Sequence, residues 1–184
     1  IGSKEIVNAL FGYGSFTHED VKMTAAALHF FGYGVPAFAL IKILSNFFFA
    51  RNNTEIPFYI SFVIVFINVL VSLIFFRSVG FIIIPIATSL STWIGVLLYL
   101  IILHNNNYLL LKNYLPRNVL KVILNSILMS TLLIYALDYF SSYLHFDYKY
   151  KSVYLIVIVG FVASIYLVSS YLTGLLKNKN FKAN

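Results

Sequence analysis

The sequence has no cysteine and few charged residues: Asp, Glu, Lys and Arg together make up 10% of its 184 residues. The absence of cysteine excludes disulfides, thiolate metal ligands and cysteine nucleophiles. Soluble domains carry about 25% charged residues, whereas this chain is 60% hydrophobic and has a mean hydropathy of +0.87. The composition therefore predicts an all-α, polytopic transmembrane helix bundle.

Sequence motifs for catalysis are also absent. The chain has no Walker loop, no HExxH, no GxSxG and no pair of carboxylates spaced for acid–base chemistry. We therefore expect no enzyme activity, no catalytic residue, no cofactor and no metal site. The acidic pair Glu19 and Asp20 is better explained as a helix start, with Thr17 as the N-cap and Asp20 three residues later.

Long apolar runs are what the sequence does contain. Crossing about 30 Å of hydrocarbon takes roughly 20 apolar residues, and five windows qualify: 23–50, 56–76, 79–103, 119–140 and 153–176. We expect residues 1–22 to form the end of a preceding helix and an outer-face connector. Three transmembrane helices then lie within 23–116, and the last two, with a cytoplasmic tail, within 117–184.

The formal charge of +7 does not indicate nucleic-acid binding, because the basic residues are scattered through short connectors and form no continuous face. In a membrane protein, such residues favour the cytoplasmic side. One set of connectors holds seven basic residues and the other five, so we expect a cytoplasmic C-terminus. The richer set is Arg51, Lys112, Arg117, Lys121, Lys177, Lys179 and Lys182, and the poorer set is Lys4, Lys22, Arg77, Lys149 and Lys151.

The prolines divide into two kinds. Pro57 and Pro116 stand where helices are expected to start, and a missing N–H costs nothing there. Pro36 and Pro85 fall inside predicted spans, where a proline frees a carbonyl and bends the helix. Each of these two is interpreted either as a kink for packing or as a hinge that lines a cavity.

Lys42 is a charged residue inside the first apolar run. A lysine near the bilayer centre costs roughly 2.5–3.5 kcal/mol on insertion scales unless it snorkels or meets a polar cavity. Lys42 lies past the midpoint of its predicted span. Two interpretations stay open: the side chain snorkels towards the Arg51 side, or it faces a water-filled cavity that handles an anion.

Three short runs carry a resemblance to a known family. They are LFGYGSFTHED from Leu10, GVPAFALIK from Gly34 to Lys42, and FFARNNTEIP from Phe48 to Pro57. In order and spacing they resemble the second half of the MurJ/MviN family, the lipid II flippases of peptidoglycan synthesis within the MOP superfamily of exporters. The three later spans agree with that family only in number and polarity.

The resemblance implies a function and a set of partners. Family members are two-lobe transporters of the bacterial cytoplasmic (inner) membrane that flip lipid II by alternating access. The chain, which begins at Ile1 without the features of a signal peptide, is then expected to be the C-terminal portion of such a protein, with an N-terminal lobe, lipid II and membrane lipids as its partners. Lys42 and Arg51 become the candidate substrate-binding residues, and the last two spans a groove for the lipid tail.

One position departs from the family pattern, and one polar group is of uncertain role. Relatives have an Asp two residues after the Arg, where this chain has Asn53, so the loop is expected to be only a turn. Asn68 and Ser72 lie one helical turn apart on the second span, and Thr88 follows on the third. These three form either an ion site or a set of interhelical hydrogen bonds.

Two alternative functions remain at this point. The first is another MOP exporter, for drugs or for lipid-linked polysaccharide, which would be favoured if the other lobe lacked cavity arginines. The second is a membrane scaffold without transport, which would be favoured if no charge-lined cavity surrounded Lys42.

Overall fold

The structure is a computed structural model that describes residues 2–106, 108 and 117–175. The predicted all-α class is confirmed: the described residues form helices and connecting turns. Lys112, Pro116, Lys177, Lys179 and Lys182, which entered the sequence predictions, lie outside them. The helices are α1 (Ser3–Phe11), α2 (His18–Phe49), α3 (Glu55–Val79), α4 (Ile83–Asn105), α5 (Arg117–Tyr139) and α6 (Lys151–Leu172), with 3₁₀ helices at Gly80–Ile82 and Ser141–Leu144.

Four helical stretches of the described chain are long and apolar enough to cross a membrane: His18–Phe49, Glu55–Asn105, Leu120–Tyr139 and Lys151–Leu172. The second has 51 residues and folds back on itself at Gly80, whose φ of 75° suits only glycine. Asn68 of α3 donates a 2.9 Å hydrogen bond to Thr88 of α4, as expected for an antiparallel hairpin. This stretch therefore supplies two of the five predicted spans.

Helix α2 begins with the predicted capping box. The backbone N–H of Thr17 donates to Asp20 Oδ2 at 2.8 Å, and the backbone N–H of Asp20 donates to Thr17 Oγ1 at 3.2 Å. The box starts α2 at His18, as expected with Thr17 as the N-cap, and the helix therefore begins before the apolar window 23–50. Its 32 residues extend over roughly 48 Å at 1.5 Å per residue, more than the hydrocarbon of a bilayer requires.

The structure corrects the third predicted span. Val79 is the last residue of α3, and α4 begins only at Ile83. Pro85 therefore lies in the first turn of α4, at the start of that span and not in its interior as expected. The first four N–H groups of a helix have no acceptor within that helix, so a proline is tolerated there without a bend.

The chain forms two compact units. The first, the α2–α4 unit, is Met23–Leu110. Its core contains Phe48, Ile60, Tyr99 and Leu103. Two glycines allow its helices to approach closely, as is common in membrane bundles: Gly34 of α2 lies against Ser89, and Gly95 of α4 lies against Ile64.

The second unit, the α1/α5/α6 unit, combines Ile1–Lys22 with Leu111–Asn184. Ala9 of α1, Leu137 of α5 and Leu155 and Ile158 of α6 meet in its core, together with Leu144 of the 3₁₀ turn. At the far end of α5, Asn125 bonds to Thr173 at 3.1 Å, and the Lys121 ammonium donates to the Thr173 carbonyl at 2.7 Å. The latter contact places a positive charge at the C-terminal end of α6, where the helix dipole favours it.

Candidate functional site

Lys42 lies on a face of α2 that the rest of its unit leaves uncovered. Its side chain is exposed, as are Phe38 and Val35, one and two turns earlier, at 46% and 61%. The covered face carries Gly34, Ala37 and Phe48 instead. Lys42 stands seven residues before the end of α2 at Phe49, or roughly 10 Å along the axis. Both the snorkelling and the cavity interpretations are compatible with this position.

Arg51 is held against aromatic rings. Its guanidinium carbon lies 3.6 Å from the ring centroid of Phe47 and 5.1 Å from that of Tyr108, within the range of cation–π attraction. It also donates to the Phe47 carbonyl at 3.4 Å, near the C-terminal end of α2. None of these contacts joins Arg51 to Lys42, so the structure does not gather the two predicted substrate-binding residues into one cluster.

The loop after Arg51 is a turn that starts α3. Asn52 has a positive φ of 56°, a conformation that asparagine tolerates better than most residues. The backbone N–H of Asn53 bonds back to Phe48 at 3.1 Å, and its side-chain oxygen accepts the N–H of Ile56 at 3.2 Å. Asn53 thus serves as an acceptor at the helix start.

Asn68, Ser72 and Thr88, the polar trio of the α3–α4 hairpin, lie close together in the structure. Beyond the Asn68–Thr88 bond, Ser72 donates to Asn68 Oδ1 at 3.4 Å, and Thr88 donates to its own helix at Ile84 at 2.8 Å. The donors are satisfied within the protein, which favours the interhelical role. Among the described residues no group of three or more His, Cys, Asp and Glu side chains is placed to hold a metal ion.

Pro36 sits inside α2, which continues through it as one helix. Two bonds fix α4 to this region of α2: Ser89 Oγ donates to the Phe30 carbonyl at 2.7 Å, and Trp93 Nε1 donates to the Tyr33 carbonyl at 2.9 Å. The carbonyl that Pro36 leaves without a helical donor is that of Gly32, and neither of these bonds goes to it. The two bonds instead tie α4 to the α2 backbone just before the proline.

An apolar groove runs along α5 and α6. It consists of two hollows of about 420 Å³ and 560 Å³ that share Phe161 and Ile165. Tyr135 and Tyr139 of α5 line one hollow, and Leu172 of α6 lines the other. The groove lies on the two helices for which the family resemblance predicts a lipid-tail site.

The sequence predictions missed a buried polar site, which surrounds Lys151. This lysine is 1% exposed. Its ammonium donates to the carbonyls of Gly12 and Phe146, both at 2.6 Å, and to Asn8 Oδ1 at 3.2 Å. Asn8 in turn donates to the Leu144 carbonyl at 2.7 Å. Lys151 thereby joins the end of α1 to the connector between α5 and α6.

Nothing in the local sequence distinguishes Lys151 from its neighbour Lys149. Both precede an apolar run and were counted as connector charges. The structure separates them, because Lys149 is exposed whereas Lys151 also has its ammonium 4.3 Å from the ring centroid of Tyr13. Its partners Asn8 and Gly12 are 143 and 139 residues away in sequence, which no local pattern encodes.

The described chain has apolar helices long enough to cross a membrane, a hairpin joined by the Asn68–Thr88 hydrogen bond, and close helix contacts at glycines. These features define a multi-pass, all-helical membrane protein. Comparison with known proteins narrows this class. The family model of the lipid II flippase MurJ matches residues 1–158. The chain belongs to the MurJ family.

Individual relatives are similar over most of the chain. A probable lipid II flippase MurJ of Rickettsia prowazekii (strain Madrid E) is 29% identical over 173 residues, which are 92% of this chain and 34% of the relative. The lipid II flippase MurJ of Thermosipho africanus (strain TCF52B) is 30% identical over 139 residues, or 74% of this chain and 27% of the relative. The chain thus spans about a third of the length of the curated relatives that it matches.

A solved structure shares the fold. The chain aligns with a structure described as lipid II flippase MurJ in an inward closed conformation, with a TM-score of 0.73 and 22% sequence identity. The alignment covers 97% of this chain and 35% of the other. At this identity the likeness concerns the fold alone.

Proposed function

We propose that this chain is part of a transporter that flips lipid II across the bacterial cytoplasmic membrane by alternating access. The observation that carries the proposal is the family match over residues 1–158. The relatives' names favour lipid II over the drugs or lipid-linked polysaccharides of other MOP exporters. They also weigh against a scaffold without transport.

Because the chain spans about a third of these relatives, the proposal includes a further lobe that completes the transport cavity. Lys42 supports this arrangement, since it lies on a face of α2 that its own unit leaves uncovered. In the proposal Lys42 faces the cavity and attracts the diphosphate of lipid II. Arg51, with its ring contacts, lies at the cavity's cytoplasmic edge, and Pro36 acts as a hinge.

The groove on α5 and α6 is proposed to take the polyprenyl tail. Its walls are mainly aliphatic and aromatic, although Asp138 lines one hollow and Ser164, Ser169 and Thr173 line the other. A hydrocarbon chain gains about 0.8 kcal/mol for each CH₂ that it buries. Binding of the tail outside the cavity would leave only the polar headgroup to be enclosed. No covalent step is needed.

The experiment is a domain exchange. The region of a functional MurJ that corresponds to this chain is replaced by residues 1–184, and the chimera is expressed in a strain depleted of its own flippase. We expect growth and a normal cell shape at wild-type protein abundance. Cell lysis despite correctly inserted chimera at normal abundance would contradict the proposal, and the unmodified MurJ serves as the positive control.

A further inference from the structure

The buried ammonium of Lys151 lies in a cage of neutral groups. Its hydrogen-bond acceptors among the described residues are the Gly12 and Phe146 carbonyls and Asn8 Oδ1. The ammonium also lies 4.3 Å from the ring centroid of Tyr13 and 4.6 Å from that of Phe146. Three acceptors match the three N–H donors of a primary ammonium, and aromatic faces attract a cation. The walls of the cage therefore have the chemistry of an ammonium receptor.

The position of Lys151 in its own helix does not favour a positive charge. Lys151 is the first residue of α6, where the positive end of the helix dipole disfavours a cation. Its ammonium instead reaches the C-terminal end of α1, because Gly12 caps that helix and Asn8 lies in its last turn. The partial negative charge of a helix C-terminus favours a cation. The end of α1 therefore supplies the negative potential that a carboxylate supplies in an ion pair.

The walls of the cage are held in place by contacts that do not involve the Lys151 ammonium. These contacts are the hydrogen bonds from Asn8 Nδ2 to the Leu144 carbonyl at 2.7 Å, from the Gly12 N–H to the Asn8 carbonyl at 3.0 Å and between Tyr13 Oη and Ser152 Oγ at 2.7 Å, and the stack of Phe146 on His18 with ring centroids 4.3 Å apart. We therefore expect the cage to keep its shape when the Lys151 side chain is shortened.

We infer that this cage is a pre-organised binding site for a small primary ammonium group, and that Lys151 fills it as a ligand carried by the chain itself. A quaternary ammonium has no N–H to donate to the three acceptors. Space is also limited, because a Cβ at Gly12 would already lie 3.0 Å from Lys151 Nζ. The inference does not depend on lipid II transport, so either proposal can fail alone.

The test removes the Lys151 side chain and supplies the ammonium from solution. Lys151→Ala deletes Cγ, Cδ, Cε and Nζ, which n-propylammonium replaces atom for atom. The midpoint of thermal unfolding of the full chain is measured in detergent at constant ionic strength with n-propylammonium, n-propanol or tetramethylammonium. We expect a saturable rise with n-propylammonium, and none with n-propanol, which is neutral, or with tetramethylammonium, which has no N–H. The absence of a rise with n-propylammonium, or an equal rise with tetramethylammonium, would overturn the inference.

Lys151→Met is the matched control at the same position. It leaves the same three acceptors without their donor but fills the space with the methionine side chain, so n-propylammonium should not raise its midpoint. A rise of equal size in the Ala and Met variants would be a general solvent effect and would contradict the inference. Recovery of folded Lys151→Ala only when n-propylammonium is present during purification would support it, and recovery in neither condition would count against it.

The unmodified protein provides a second measurement. Lys151 is 1% exposed, whereas Lys149 is exposed. A water-soluble acetylating reagent should therefore modify Lys151 at least roughly tenfold more slowly than Lys149, because a buried amine reacts only when the structure opens locally. Fragmentation in a mass spectrometer distinguishes the two sites. Equal rates of acetylation would show that the cage does not enclose the Lys151 ammonium, and the inference would then be wrong.

Discussion

Substitution of Lys42 tests the transport proposal most directly. If Lys42 faces the cavity, Lys42→Met removes the attraction for a diphosphate and should abolish complementation of a flippase-depleted strain. Lys42→Arg keeps the charge with a different donor geometry and should retain part of the activity. If the side chain only snorkels, Met removes an insertion cost of roughly 2.5–3.5 kcal/mol and is harmless. Normal growth of the Met strain, with abundance confirmed by immunoblot, would reject the cavity role.

Lys151 is expected to contribute to stability rather than to transport. Lys151→Met leaves the carbonyls of Gly12 and Phe146 and the Asn8 amide oxygen without their donor, at a cost of about 1–3 kcal/mol for each acceptor left unpaired. We therefore expect a clearly lower midpoint of thermal unfolding in detergent.

Lys149→Met is the matched control for that change. Lys149 is exposed two residues earlier, and its substitution should change the free energy of unfolding by no more than about 0.5 kcal/mol. Equal midpoints for the two variants would show that the hydrogen bonds of Lys151 contribute nothing measurable.

At the scale of a single helix, Gly32 and Gly34 of α2 form a natural comparison. A Cβ at Gly34 would lie 2.7 Å from Ser89 Oγ and 3.2 Å from Ser89 Cα, whereas a Cβ at Gly32 would meet nothing within 4 Å. Gly34→Ala should therefore push α2 and α4 apart and cost about 1–3 kcal/mol. Gly32→Ala should be neutral or stabilising by up to about 1 kcal/mol, because alanine favours helix.

The measurement is thermal unfolding of both variants in the same detergent. A Gly34→Ala protein as stable as Gly32→Ala would mean that the close approach of α2 to Ser89 does not constrain the hairpin.

Local sequence patterns predicted the helices well. Hydropathy located the apolar helices, and the THED run correctly gave the start of α2, because a capping box is encoded within four residues. The third span was misplaced by a few residues, since hydropathy hardly changes across Gly80–Ile82 and only the positive φ of Gly80 marks the break. Gly34 could not be interpreted from sequence, because its role depends on Ser89, which lies on another helix.

The candidate site was less predictable for a different reason. The trio of Asn68, Ser72 and Thr88 was recognised because two of its members share a helix face. Lys151 was missed because its partners are distant in sequence. Lys42 was recognised as unusual because it is a charge within an apolar run.

At the scale of the whole molecule, orientation is the property most directly open to experiment. The proposed cytoplasmic C-terminus requires the α2–α3 turn to lie inside the cell and the connector between α5 and α6 to lie outside. Ala50 and Ser142 are both exposed. Because the 184-residue sequence has no cysteine, a thiol reagent can react within it only at a cysteine introduced at one of these positions.

In intact cells, a membrane-impermeant thiol reagent should label Ser142→Cys and leave Ala50→Cys unlabelled until the membrane is permeabilised. Labelling of Ala50→Cys from outside would reverse the proposed orientation. Labelling of neither residue after permeabilisation would indicate a buried site and call for neighbouring positions.

The contacts of Lys151 also have a consequence for the order of events during synthesis. Asn8 and Gly12 emerge from the ribosome first, but the ammonium that binds them belongs to a residue 139 to 143 positions later. At about 5–20 residues per second, the end of α1 waits roughly 7–28 s for this partner. Until then the α1 carbonyl and the Asn8 amide depend on water or on a chaperone. This contact therefore cannot close until synthesis has reached Lys151, the first residue of α6.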